Sequence, residues 1–81
     1  MRIHYRTPAS GQSLVTIRVF DFAMAPVRLL LRDAIRPGDR EHDDLWDGRD
    51  DNGSLVANGV YFYRIEIEGQ ESVWGKILAI K

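Results

Sequence analysis

The sequence contains no cysteine, which excludes disulfides, thiolate metal sites and cysteine nucleophiles. It also lacks any run of about 18 apolar residues, so we expect no transmembrane helix and no insertion into a membrane. The first residues do not show the charged-then-apolar pattern of a secretory signal. A small extracellular domain is often held together by disulfides, so their absence is more typical of a bacterial source or a reducing compartment.

A basic patch is missing as well. The net charge is −1, with six Arg and two Asp in residues 1–38 and seven acidic residues against two Arg in residues 39–51. The arginines are scattered along predicted strands, and no basic block forms. Because nucleic-acid binding depends on clustered positive charge, we expect no nucleic-acid partner.

The composition is that of an ordinary globular domain, with 44% hydrophobic and 28% charged residues in 81 positions. A chain of this size buries roughly 60–65% of its unfolded surface, enough for one thin core. There is no internal repeat, low-complexity tract or linker. We therefore expect residues 1–81 to be a single module, excised from a larger protein.

Apolar residues alternate with period two and nowhere recur with helical spacing, which predicts an all-β fold. Gly-, Pro- and Asn-containing turns such as Ser10-Gly11 separate short segments, as in a two-sheet β-sandwich of six to seven strands, with a small barrel as the alternative. The predicted strands are Ile3–Tyr5, Leu14–Phe20, Val27–Leu31, a segment between the Pro37-Gly38-Asp39 turn and Trp46, a brief one at Leu55–Val56, Val60–Ile67 and Val73–Ile80. The predicted core consists of Val15, Ile17, Val19, Leu29, Trp46, Tyr61, Tyr63 and Ile65.

The most informative segment runs from Trp46 to Tyr63, where turn signals separate an aromatic anchor from an aromatic strand. Asx-Gly pairs tolerate the positive backbone φ of tight turns, and Val, Tyr and Phe suit a half-buried strand. We expect structural roles for Trp46, Gly48, Gly53, Gly59, Tyr61 and Tyr63. Trp46 is predicted to fill the core where the two sheets meet.

Acidic residues in this segment suggest calcium as an alternative, because Ca²⁺ takes oxygen ligands. The candidates are Asp47, Asp50, Asp51 and Asn52. Their spacing departs from an EF-hand loop, since Arg49 occupies the third position counted from Asp47. Asx turns, in which these side chains bind their own backbone, explain the cluster better.

Trp74 is the one candidate for ligand stacking, since strict alternation places it on the face of Lys76 and opposite to that of Val73. An exposed tryptophan near Tyr61 or Tyr63 would provide a platform for sugars, so a carbohydrate-binding module is a second alternative. Both edge strands, near Val27–Leu31 and Val73–Ile80, are expected to offer backbone groups to a partner.

Catalysis is not expected. The sequence has no G-x-S-x-G elbow and no glycine-rich phosphate loop. A sandwich of this size also has little volume for a cleft between paired carboxylates. We therefore predict a noncatalytic protein without a cofactor.

Six segments of the chain carry a resemblance to a known family: Ile3–Pro8, Val15–Asp21, Pro26–Leu30, the Trp-Asp-Gly-Arg-Asp turn at Trp46–Gly53, the Gly-Val-Tyr strand within Val56–Arg64, and Gly75–Lys81. Through these segments nearly the whole chain resembles the immunoglobulin-like domain of the flagellar hook-capping family, which also occurs at the C-termini of bacterial secreted and surface proteins. It departs from the family pattern at Met24-Ala25, where glycine is common, and in the long acidic loop Asp33–Asp44. Sorting domains of the type IX secretion route look similar in their last strands.

The resemblance implies an immunoglobulin-like sandwich that serves as a noncatalytic accessory module of a bacterial extracytoplasmic protein. Such a module acts as a spacer, an anchor, or a secretion or assembly contact. Its partners would be other domains of the parent protein, or secretion or cell-surface machinery.

Overall fold

The computed structural model describes residues 1–8 and 11–80, so Lys81 and the first residue of the predicted Ser10-Gly11 turn lie outside the described residues. Across residues 1–8 and 11–80, six strands form two antiparallel sheets, β1 with β4 and a second sheet in the order β3-β2-β5-β6. This confirms the predicted all-β, two-sheet sandwich. Within the described residues, no helix is long and apolar enough to cross a membrane. The strands are β1 (Arg2–Thr7), β2 (Gln12–Phe20), β3 (Pro26–Pro37), β4 (Arg40–Leu45), β5 (Gly59–Ile67) and β6 (Val73–Ala79).

The core lies between the two sheets and follows from strand alternation. In β1 every second residue is buried, and in β2 Val15, Ile17 and Val19 are inaccessible to solvent. Inward residues of β5 and β6 complete the apolar layer, because successive side chains of a strand point to opposite faces. The buried apolar residues are Ile3, Tyr5, Val15, Ile17, Val19, Trp46, Tyr61, Ile65, Ile67, Ile77 and Ala79.

Strand β3 is longer than predicted, and of its expected apolar residues Val27, Leu29 and Leu31 only Val27 and Leu31 pack against the core. Its pairing with β2 shifts register at three places, so that Ile17 faces Leu31 while the next residue, Arg18, faces Leu29. Such β-bulges add a residue to one strand and change which side chains point inward. Leu30 therefore packs against the core together with Leu31 and Val27. The prediction that Leu29 is a core residue is wrong.

Strand β4 forms despite poor intrinsic propensity because polar contacts fix it to β1 and β3. The Tyr5 hydroxyl donates to Asp44 Oδ2 at 2.7 Å, and Arg36 Nη2 donates to Asp44 Oδ1 at 3.1 Å. Burial, reinforced by Asp44, raises the pKa of Tyr5 far above its usual range. The carboxylate of Asp44 thus joins three strands at the end of the core.

The predicted strand at Leu55–Val56 is absent. Leu55 forms only an isolated antiparallel bridge with Arg49. The intervening residues make a small turn in which the Gly53 amide donates to Asp50 O at 3.0 Å. The prediction of a brief strand there is wrong because two residues between tight turns have no neighbouring strand to extend the ladder.

Candidate interaction surface

The loop between β4 and β5 is folded around its own backbone. Asp50 Oδ1 accepts hydrogen bonds from the amides of Asn52 and Ser54, at 2.9 and 3.0 Å, and Asp47 Oδ1 accepts from the Arg49 amide at 3.1 Å. These are the Asx-turn contacts expected from short acidic side chains in a turn. Asp47 and Asp50, two of the calcium candidates, are therefore engaged in shaping the loop.

Arg28 of β3 supplies the positive charge at this loop. Its Nη1 lies 3.6 Å from Asp47 Oδ1, and its Nε lies 3.9 Å from Asp51 Oδ1. Asp51 Oδ1 also accepts a hydrogen bond from the Leu29 amide at 2.9 Å. Throughout residues 1–8 and 11–80, no group of three or more His, Cys, Asp or Glu side chains is placed to hold a metal ion. The loop carboxylates are thus bound to backbone amides and to an arginine.

Trp46 anchors this loop in the core. It is 0% exposed, its Nε1 donates to Arg49 O at 2.9 Å, and its ring meets Tyr61 edge-on with centroids 5.3 Å apart. The Tyr61 hydroxyl donates to Ala57 O at 2.7 Å, so the same pair of aromatic rings fixes both ends of the loop. Gly48 allows the close turn that follows Trp46, with a φ of +77°.

The other three residues predicted to be structural lie around this loop and on β5. Gly53 and Gly59 have φ values of +83° and +150°, which favour glycine, and Gly59 begins β5. Tyr63 is only half-buried, and its ring covers Gly75 of the neighbouring strand. No role is predicted from the sequence for Gly75. A glycine inside a strand nevertheless indicates that another group approaches its backbone closely.

The outward face of the four-stranded sheet carries a cluster of apolar side chains, which we call the outer aromatic face. Trp74 is 50% exposed and Phe22 is 76% exposed. Ring centroids lie 5.4 Å apart for Phe20 and Trp74 and 6.2 Å apart for Phe22 and Phe62. The outer aromatic face consists of Phe20, Phe22, Phe62, Trp74 and Leu78. It forms because β2, β5 and β6 bring Phe20, Phe62, Trp74 and Leu78 to one face, and because Phe22 lies in the turn that follows β2.

The neighbours of Trp74 differ from those predicted. Tyr61 is buried on the opposite face of the sheet, and Tyr63 faces Gly75 there. Trp74 instead lies opposite Arg64, whose guanidinium carbon is 5.7 Å from the ring centroid. The expectation that Tyr61 or Tyr63 lies beside an exposed Trp74 is therefore wrong. Alternation alone identifies the face of Trp74, but only the strand order identifies its neighbours.

Three basic side chains lie on the same face of the sheet as the outer aromatic face. Arg18 and Arg64 lie opposite each other on β2 and β5, and Glu66 forms ion pairs with both. Lys76 lies opposite Phe62, between Trp74 and Leu78, and is exposed. One carboxylate thus balances two guanidinium groups, and Lys76 adds a further cation among the apolar side chains.

The two strand edges of the larger sheet are not equivalent. On β3, the Leu29 amide donates to Asp51 Oδ1, and Val27 O accepts from the Asp51 amide at 3.1 Å. The loop thus occupies this stretch of the β3 edge. The prediction that the Val27–Leu31 edge is free for a partner is wrong at Val27 and Leu29.

The smaller sheet presents a charged outward face. His4 Nδ1 lies 2.7 Å from Asp43 Oδ1 and its Nε2 lies 3.3 Å from Glu41 Oε1, while Arg2 Nε is 3.7 Å from Asp43. Hydrogen bonding to Asp43, and then to Glu41, raises the pKa of His4. These exposed pairs join β1 to β4.

Comparison with protein-family models, with curated proteins and with solved structures finds no match to this chain.

Proposed function

We propose that this chain is a noncatalytic, immunoglobulin-like module that acts by surface contact, as an accessory domain of a bacterial extracytoplasmic protein. Its role is that of a spacer, anchor, or secretion or assembly contact. The observation that carries the proposal is the outer aromatic face. Exposed apolar clusters rimmed by polar residues are typical of contact surfaces.

The strand order supports the immunoglobulin-like part of the proposal. Immunoglobulin-like sandwiches pair strands B and E in one sheet, and variable types place C′, C, F and G side by side in the other. The sheets β1-β4 and β3-β2-β5-β6 have the same order when the six strands are taken as B, C, C′, E, F and G. The resemblance to the hook-capping domains adds the expectation of a bacterial, extracytoplasmic setting.

A secreted reporter protein fused to this chain tests the proposal in a bacterial host. We expect the fusion to change the fraction of reporter retained at the cell surface, and expect Trp74→Ser with Leu78→Ser to abolish the change. Leu45→Ser is the matched control, because Leu45 is 72% exposed on the other sheet. An unchanged distribution for every fusion, or an equal effect of the control, would contradict the proposal.

Carbohydrate binding is the second candidate function. A surface depression of about 410 Å³ is lined by Phe22, Val60 and Tyr61 beside Asp21, and it adjoins the outer aromatic face. Aromatic rings next to a carboxylate suit a sugar ring, which presents both apolar faces and hydroxyl groups. Titration with a panel of polysaccharides tests this, since quenching of Trp74 fluorescence would support it and an unchanged spectrum with every glycan would reject it.

A further inference from the structure

We propose that the free edge of β6 binds an extended segment of a partner protein as an additional strand, and that this segment places a carboxylate opposite Lys76. The inference rests on the proposed function and names the kind of partner. Strand addition uses main-chain hydrogen bonds for affinity and alternate side chains for specificity.

Strand β6 has the geometry that strand addition requires. Among the strands of residues 1–8 and 11–80 it is the last of its sheet and pairs only with β5, over seven residues from Val73 to Ala79. In an antiparallel pair, every second residue directs its N–H and C=O away from the neighbouring strand. Among the backbone hydrogen bonds outside the sheet ladders of the described residues, none involves β6.

The contrast with the opposite edge strengthens the inference. The Asp51 loop occupies the edge of β3 at Val27 and Leu29. Natural sheets avoid unwanted pairing by covering their edges in this way. One edge of this sheet is thus covered by the chain itself, whereas β6 is continuous with the outer aromatic face through Trp74 and Leu78.

The positive charge of Lys76 on β6 determines which kind of partner strand fits. Lys76 is at the centre of its outward face, between Trp74 and Leu78, which are 50% and 53% exposed. The one acidic residue of the neighbouring strand β5, Glu66, is already paired with Arg18 and Arg64. A cross-strand carboxylate therefore complements Lys76, and apolar residues two positions to either side complement Trp74 and Leu78.

A second copy of this chain is a poorer occupant. If two β6 strands pair antiparallel about a twofold axis at Lys76, the two ammonium groups lie directly opposite each other, which is destabilising. Lysine at an edge is a common device against self-pairing. The partner is thus an acidic strand of a different protein.

The test uses the whole chain labelled with ¹⁵N and a capped peptide, Ser-Val-Thr-Glu-Thr-Val-Ser, with the same length as β6. Two control peptides carry Lys in place of Glu, or Pro in place of both Val residues. We expect the acidic peptide to shift the amide signals of β6 and to change the emission of Trp74. Trp46 is buried and reports no surface contact.

We expect the Lys peptide to bind roughly three- to tenfold more weakly than the Glu peptide, given the size of cross-strand charge effects. The Pro peptide should not bind, because with Glu opposite Lys76 its two Pro residues remove N–H donors that face the backbone of Trp74 and Leu78. In Lys76→Glu the preference between the Glu and Lys peptides should invert. Arg40→Glu, an exposed charge reversal on β4, is the matched control and should leave the preference unchanged.

The proposal is overturned if no peptide shifts β6 amides, if Lys76→Glu leaves the preference unchanged, or if the free chain dimerises through β6 in sedimentation experiments. Shifts confined to Phe22 and Phe62 would also overturn it, while leaving the proposed function intact. If only the reporter fusions fail, the proposed function is contradicted, but the inference that β6 binds a peptide is not affected.

Discussion

Replacing Gly75 with alanine should destabilise the fold, although alanine normally suits a strand better than glycine. Tyr63 lies opposite Gly75 in the pairing of β5 with β6. A Cβ added at Gly75 would overlap Cζ, Oη and Cε2 of the Tyr63 ring. Because two ring carbons and the hydroxyl oxygen of Tyr63 occupy the position of the added methyl group, the Tyr63 side chain has to move.

The expected loss of stability is the cost of overpacking minus the gain from replacing a glycine in a strand. Overpacking costs typically about 1–3 kcal/mol. Removing a strand glycine returns about 0.5–1 kcal/mol. The net loss in the free energy of unfolding is about 0–2.5 kcal/mol, which lowers the Tm of a domain of this size by up to roughly 20 °C.

Thermal and urea unfolding of four proteins measures this effect: the parent chain, Gly75→Ala, Tyr63→Ala and the double variant. Once the ring is absent, the added methyl group meets no obstacle, so the double variant should be at least as stable as Tyr63→Ala. The coupling between the two sites should be about 1 kcal/mol or more. If Gly75→Ala were stabilising, or if the effects of the two substitutions simply added, the argument for close approach of the ring would be refuted.

Three further predictions concern the loop, metal and pH. Trp46→Phe should cost about 1–3 kcal/mol, measured by urea unfolding, because the Arg49 carbonyl loses its indole donor and a gap opens in the core. Chelator or added CaCl₂ should leave the Tm unchanged; stabilisation by Ca²⁺ would revive the calcium alternative. Asp43 and Glu41 raise the pKa of His4, so its contribution to stability is complete below about pH 6.5 and is lost as pH rises through the raised value. Urea midpoints of the parent and His4→Gln should therefore converge at alkaline pH, and parallel curves would contradict this.

The edge of β3 is covered and the edge of β6 is free, so the two edges of the larger sheet are not equivalent for a partner strand. The loop that covers β3 is held at its base by Trp46 and at its tip by Asp51 with Arg28. This places the acidic residues of the loop beside one edge, while Lys76 lies on the strand at the other edge. An arriving acidic strand would thus be guided away from the β3 edge and toward β6.

The sequence by itself determined the features that depend on local patterns. Alternating apolar residues defined β5 and β6 to within one residue of their observed ends, because a half-buried strand repeats every two residues. The Asx-Gly pairs predicted the turns after Trp46, because the ability to adopt a positive φ depends on the residue type and not on tertiary contacts. The all-β sandwich follows from these two kinds of signal.

The tertiary structure decided what depends on strand order and register. The bulges of β3 exchange Leu29 for Leu30 in the core, and no local pattern marks a bulge that forms against a particular partner strand. Only the pairing of β5 with β6 brings Tyr63 onto Gly75. The outer aromatic face and the free edge of β6 likewise arise from which strands become neighbours, since contacts between residues distant in sequence are set by packing of the whole chain.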